Sequence, residues 1–318
     1  MLNQFAQPAS RYIFGTIPFY SVLMVTGIIV AIIHCLREEK RLGLKKDTIV
    51  DLALWTVPAG IIGARLYYVA FAWDVFASDW TKIFRIWEGG LAIYGAVIGG
   101  FIAVLLFSIK RKISVFTLTD IIAPGLILAQ AIGRWGNYFN MEAYGELITD
   151  PAWQFFPFGV LISTPLGDMW HQATFFYESF WNFLTFLALY RLRLHRKKTG
   201  DLTCWYFLLY GAGRFVIEGL RTDSLMSGTL RISQVLSLVM CGVVVIYFAL
   251  RLMRTRPLMM LLLIPLAVIW ALTLMNTSIL ARILTVAPAI LIGAVLYGMI
   301  PKNTSTKEAE AAPCQEHP

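Results

Sequence analysis

Nine long apolar runs recur from end to end of this chain, over roughly residues 20–36, 49–72, 89–109, 116–133, 172–190, 202–219, 232–250, 257–275 and 279–300. A helix rising ~1.5 Å per residue crosses a ~30 Å hydrocarbon core in about 20 residues. The sequence therefore predicts an all-α, polytopic integral membrane protein. Its 14% charged content, against about 25% in soluble domains, agrees. The clusters Arg37/Lys40/Arg41/Lys45/Lys46, Lys110/Arg111/Lys112, Arg191/Arg193/Arg196/Lys197/Lys198, Arg251/Arg254/Arg256 and Lys302/Lys307 hold 18 of the 27 lysines and arginines. They fall at alternate ends of successive runs. The positive-inside rule then predicts the N-terminus outside and the C-terminus in the cytoplasm. The net charge of +8 is a topology signal, and no nucleic-acid partner is expected. The start of the chain lacks a basic region and a small-residue cleavage site, so the first run is expected to stay as a signal anchor.

The other basic residues are Arg11, Arg65, Lys82, Arg85, Arg134, Arg214, Arg221, Arg231 and Arg282. Most fall at or near the outer face, where the rule disfavours them. All but one are arginine, whose planar fork suits phosphate and carboxylate. The segment 134–171 is too long for a hairpin turn; its Pro151, Pro157, Pro165 and aromatics predict a folded outer cap. Gly60, Gly63, Gly95 and Gly99 read as close helix packing, and Pro58 and Pro124 as kinks. No internal repeat is visible. The tail 301–318 is expected to be disordered. Cysteines 35, 204, 241 and 314 and histidines 34, 171, 195 and 317 are scattered singly, which predicts no disulfide framework, no metal site and no cofactor.

Two constellations carry chemistry. In Gly133-Arg134-Trp135-Gly136-Asn137-Tyr138-Phe139-Asn140-Met141-Glu142-Ala143-Tyr144-Gly145, Arg134 and Asn137 share a face if the helix continues. Asn140 and Glu142 add another donor and a carboxylate. The plain alternative is a helix end with Arg134 snorkelling to headgroups. In Gly211-Ala-Gly-Arg-Phe-Val-Ile-Glu-Gly-Leu-Arg, spacings of four and seven align Arg214, Glu218 and Arg221 on one stripe. Arg214 lies deep in its run and needs a partner, Glu218. A purely structural ion pair is the alternative. Two arginine stripes at one face suggest a shared anion. Tyr20, Arg65, Tyr94, Asp120, His171, Tyr177 and Glu178 read singly as helix–helix hydrogen bonds more often than as catalysts.

The chain resembles the prolipoprotein diacylglyceryl transferase family. Residues 133–145 match its signature, approximately GRxGNFxNGExxG, with Tyr138 for Phe and Met141 for Gly. Tyr20, Gly63-Ala-Arg65-Leu-Tyr67, Trp87-Glu88-Gly89-Gly90, Asp120, Tyr177-Glu178-Ser179, and Arg214 with Glu218 and Arg221 agree in order. The resemblance covers roughly residues 13–255. It implies a seven-helix core over 1–256 that includes the cap, with 257–300 an added transmembrane hairpin. Tyr94 stands where the family often has histidine, and His171-Gln172-Ala173-Thr174 stands for its His-Pro-Thr.

The resemblance also implies a reaction. The thiol of a lipobox cysteine in a prolipoprotein signal peptide attacks a phosphate-bearing glycerol carbon of phosphatidylglycerol. A thioether forms and glycerol phosphate leaves, the first step of lipoprotein maturation. Partners would be phosphatidylglycerol, prolipoprotein signal peptides and membrane lipids. The site would face the outer leaflet of the bacterial plasma membrane. Arg134 and Arg214 are expected to neutralise the developing charge, and Glu142 to take the thiol proton, with Tyr94 a hydrogen-bonding member. Asn137, Asn140, Tyr20, Glu218, Arg221 and Gly145 would bind substrate. The rival classes are a lipid or anion transporter, expected to place its charges at the midplane, and a non-catalytic scaffold.

Overall fold

The computed structural model describes residues 8, 10–164, 167–222, 226–227, 230–253, 255–273 and 278–301. Nearly all of the tail expected to be disordered, and Pro165 of the cap, lie outside the described residues. The short ladder β1 (Tyr12–Ile13) and β2 (Ile17–Pro18) leads into α1 (Phe19–Arg41). α2 (Thr48–Phe71) and the single turn α3 (Trp73–Phe76) follow, then 3-10 turns at Trp80–Phe84 and Ile86–Glu88. α4 (Ile93–Arg111) and α5 (Val115–Asn140) precede a 3-10 turn at Pro151–Trp153 and the hairpin β3 (Gly159–Thr164) and β4 (Gly167–Gln172). Then come α6 (Thr174–Leu192), α7 (Asp201–Glu218), the ladder β5 (Met226–Ser227) and β6 (Leu230–Arg231), and α8 (Ile232–Leu252). A 3-10 segment, Pro257–Leu262, runs into α9 (Leu263–Thr273), and α10 (Ile279–Met299) closes the order.

The protein is an all-α, polytopic membrane protein. Among the described residues, six helices (α1, α2, α4, α5, α8 and α10) are long and apolar enough to cross a bilayer. α6 and α7 have 19 and 18 residues but are richer in polar side chains. The predicted span 257–275 is a 3-10 segment followed by an 11-residue helix. Pro58 and Pro124 both lie inside continuous helices. α1, α4, α6 and α8 each carry lysine or arginine in the last turn, so the basic clusters also complement the helix dipoles.

The described residues divide into two compact units, those of 32–122 and those of 1–31 with 123–312. In the first, α2 and α4 are the main packed pair. A Cβ on Gly63 or Gly95 would strike the facing backbone carbonyl, and one on Gly99 would strike Ala59 O, so these glycines let the helices touch backbone to backbone. A core of Ile49, Leu52, Val104, Phe107, Leu118 and Ile121 lies at the end of this pair near the basic residues. Arg65 gives its guanidinium to the carbonyls of Ile83 (2.9 Å) and Gly89 (2.7 Å), among others, and so ties down the loop before α4. Arg65 is therefore structural, though its bonds run to a loop and not to another helix.

In the other unit α7 packs on α6, α8 and α10. Its core draws Leu208, Val245, Phe248, Ala289 and Leu296 together from α7, α8 and α10. A separate small cluster, Val160, Ile162, Ala173 and Phe175 with Trp135 and Tyr138 against it, seats the β3–β4 hairpin on α5 and α6. The hairpin thus has an apolar base of its own.

Candidate active site

The second unit gathers most of the predicted site residues at the end of α5. That helix runs seven residues beyond the apolar run, through Arg134 and Asn137 to Asn140, so the shared face of Arg134 and Asn137 exists. It stops where Met141 (φ 55°) and Ala143 (φ 58°) adopt left-handed backbone. Met141 is the position at which the family signature has glycine, and the φ value is the reason glycine suits it. In this turn the Glu142 N–H donates to Asn137 O at 3.1 Å, and Asn140 Nδ2 donates to Glu142 Oε1 at 3.1 Å. The Glu142 carboxylate is exposed. Tyr20, in the first turn of α1, lies against Gly136 and within electrostatic reach of Glu142 and Arg134. Phe19 stacks on Phe139 with centroids 4.2 Å apart.

Glu178 on α6 joins the two constellations. Its Oε1 meets Arg134 Nη2 at 2.7 Å and its Oε2 meets Arg214 Nη1 at 3.0 Å. Arg214 Nη2 in turn meets Glu218 Oε2 at 2.6 Å, the partnership expected from the four-residue spacing. The result is an alternating chain, Arg134–Glu178–Arg214–Glu218, contributed by α5, α6 and α7. Its carboxylates are buried at 4% and 3% exposure, while the Arg134 and Arg214 side chains keep 22% and 15%. The arginine side chains therefore keep some exposure, while the carboxylates are almost fully covered. Tyr210, one turn before Arg214, places its phenol beside both arginines and Glu178. The α5–α6 register is set by Trp135 Nε1 donating to Ser179 Oγ (3.1 Å), which donates to Ala131 O (2.7 Å).

Gly145 lies at a backbone crossing. Its N–H donates to Gln172 O at 2.9 Å, His171 Nδ1 lies 2.9 Å from its carbonyl, and it forms an antiparallel bridge with Arg221. A Cβ there would meet Gln172 and Thr174. Gly145 and Arg221 are thereby brought together through main chain, and Thr174 Oγ1 donates to Ala143 O beside them. Tyr94 belongs to the other unit, at the start of α4, 37% exposed and 6.2 Å from the Tyr67 ring.

Sequence reasoning undervalued Glu178, which reads singly as a packing residue. The signal that could have found it is its charge, since a glutamate inside an apolar run needs a cationic partner. Arg231 was also left without a role. It donates to Glu218 O and to Arg221 O (2.9 Å), clamping the turn after α7. No group of three metal-ligating side chains exists among the described residues.

The chain is thus an all-α membrane protein with a buried arginine–carboxylate chain at the end of a glycine-punctuated helix. Residues 9–250 match the prolipoprotein diacylglyceryl transferase family, and the chain belongs to that family. It is similar to proteins named phosphatidylglycerol–prolipoprotein diacylglyceryl transferase. The one from Limosilactobacillus reuteri is 45% identical over 229 residues, 70% of this chain and 83% of the relative. That of Enterococcus faecalis is 45% identical over 245 residues, 76% and 88%. The Listeria welshimeri protein is 42% identical over 227 residues, 71% and 82%.

Proposed function

We propose that this chain transfers the diacylglyceryl group of phosphatidylglycerol to the lipobox cysteine of prolipoproteins, the first step of lipoprotein maturation. The thiolate sulfur attacks the diacylglyceryl carbon bonded to phosphate. The S–C bond forms as the C–O bond breaks, and the leaving glycerol phosphate takes the electron pair. Its phosphate passes from monoanion toward dianion, so charge develops where guanidinium donors count most. The observation that carries the reading is the Arg134–Glu178–Arg214–Glu218 chain. Buried carboxylates hold both guanidiniums in place before substrate arrives, and both arginine side chains keep more exposure than the carboxylates that hold them. Such preorganisation avoids reorganisation during the reaction.

Glu142 takes the thiol proton in this reading, since a thiol of pKa ~8.5 is only a few per cent ionised at neutral pH. Asn137 and Asn140 orient the headgroup, Tyr20 and Arg221 complete the polar wall, and Gly145 fixes its backbone. Tyr94 is assigned as a hydrogen-bond donor, a phenol of pKa ~10 being a poor base. A cleft of about 380 Å³ lined by Leu23, Leu128, Trp135, Phe176 and Phe180 suits an acyl chain of the lipid. The site faces the outer leaflet of the bacterial plasma membrane, with the N-terminus outside.

The test uses the purified full chain with phosphatidylglycerol micelles and a synthetic lipobox peptide. Mass spectrometry follows the diacylglyceryl adduct, and phosphate analysis follows released glycerol phosphate. Adduct formation that disappears in Arg134→Ala and Arg214→Ala is the expected result. Wild-type protein that yields no adduct with lipid supplied overturns the proposal and reopens a transport role. Glu142→Gln abolishing transfer while Tyr94→Phe only weakens it is the pattern expected for the two assignments.

A further inference from the structure

Arg282 is the one outer-face arginine of the C-terminal hairpin, and it lies beyond residues 9–250, which match the family. An arginine in the first turn of an apolar helix ordinarily snorkels to headgroups. This one does not, since it is 8% exposed and its guanidinium is turned into the protein. It occupies a notch at Gly219, where an ideal Cβ would fall against Cζ, Nε and Nη1. Gly219 directly follows Glu218 at the C-terminus of α7. Arg231 clamps the same turn from another side through the Glu218 and Arg221 carbonyls, and Gln234 Nε2 holds Phe215 O at 3.0 Å. Arg231 and the exposed Glu146 are the charged groups in electrostatic reach of Arg282 among the described residues. Two guanidiniums thus converge on one helix end, where the dipole favours positive charge.

We infer that Arg282 is a positioning residue of the transferase site, holding the last turn of α7 so that Glu218 meets Arg214, and that the C-terminal hairpin is a working part of the enzyme. The inference rests on the transferase reading. Arg282 touches no reacting atom. It fills the Gly219 notch beside the C-terminus of α7, which fixes the turn from which the Glu218 carboxylate reaches Arg214 Nη2. Losing it frees that turn, and the arginine that faces the departing phosphate loses its alignment.

The experiment measures kcat, and KM for phosphatidylglycerol, with the full chain and the lipobox peptide. The variants are Arg282→Met, Arg282→Lys, Gly219→Ala, and Gly219→Ala combined with Arg282→Ala. Misalignment acts on the transition state, so Arg282→Met should lower kcat about tenfold with KM within about twofold, and Arg282→Lys should recover most of the rate. Gly219→Ala should be harmful alone and cost little further once Arg282 is alanine, the non-additivity of groups in contact. Tyr297→Phe, at the far end of α10, controls for docking of the hairpin and should lower thermal stability without changing kcat. An unchanged kcat in Arg282→Met, independent effects at 219 and 282, or an equal loss of kcat in Tyr297→Phe would each overturn the positioning role. Wild type inactive toward the peptide would remove the transferase reading, and this inference with it. An active wild type with indifferent Arg282 variants removes the inference alone.

Discussion

Glu178 is the residue on which the alignment of the two arginines depends. Each of its oxygens meets one guanidinium, so removing its charge leaves Arg134 without its buried partner and Arg214 with Glu218 alone. Breaking one side of a buried ion pair costs about 3–5 kcal/mol. Glu178→Gln is therefore expected to lower the thermal midpoint clearly and to reduce transfer by about 10²-fold, the scale of losing one preorganised charge contact. Wild-type rates in that variant would sink the idea that Glu178 orients the pair. Met141 makes the opposite kind of prediction. An L-residue in left-handed backbone carries about 1–2 kcal/mol of strain, partly offset by the ~0.5–1 kcal/mol of chain entropy that glycine loses. Met141→Gly should stabilise the protein by roughly 0.5–1 kcal/mol in a melting experiment and leave transfer intact. Destabilisation there would mean that the Met141 side chain contributes more than its backbone costs.

At the scale of elements, the α2–α4 pair shows how a single position decides packing. Gly99 faces Ala59 O and the Gly63 Cα, while nothing lies within 4 Å of a Cβ on Gly100. Adjacent residues of one helix should thus respond with opposite sign. Gly99→Ala forces the helices apart and should cost about 1–3 kcal/mol, whereas Gly100→Ala should gain up to about 1 kcal/mol of helix propensity. Melting curves of the two variants decide it, and equal shifts would mean the helices are not in backbone contact. Helix positions were legible because an apolar run bounded by basic residues leaves few alternatives. The end of α5 was not, because Arg134 to Asn140 is helical without being apolar, and helix geometry survives where hydropathy stops. The six-residue strands β3 and β4 were legible only as a folded cap, since their pairing rests on each other and not on any local period. Of the site, the Arg214–Glu218 contact is local in sequence and could be read. Glu178 meets Arg134 from 44 positions away in sequence, which no spacing rule within one helix reaches.

For the whole molecule, the question is how the hairpin beyond residue 256 is held. Asp201 is fully buried and accepts from Arg251 Nη1 at 2.5 Å, from the Tyr297 hydroxyl at 3.0 Å, and from the N–H groups of Lys197 and Lys198. Lys197 Nζ donates to Gly298 O at 2.8 Å, with the carbonyls of Tyr297 and Ile300 also in reach, and so caps the C-terminus of α10. One buried carboxylate thereby ties α7, α8 and α10 together at the end marked by the basic clusters. Leu296 and Ala289 add apolar contact with the same core. Tyr297→Phe removes the bond to the Asp201 carboxylate and the one accepted from the Lys197 N–H, and should cost about 1.5–3 kcal/mol. Asp201→Asn should cost more, about 3–5 kcal/mol, because it leaves the Arg251 guanidinium uncompensated. The two losses should fall short of additive in the double variant, since both act on one network. Full additivity in melting experiments would mean that Tyr297 and Asp201 stabilise the fold independently and do not form one network.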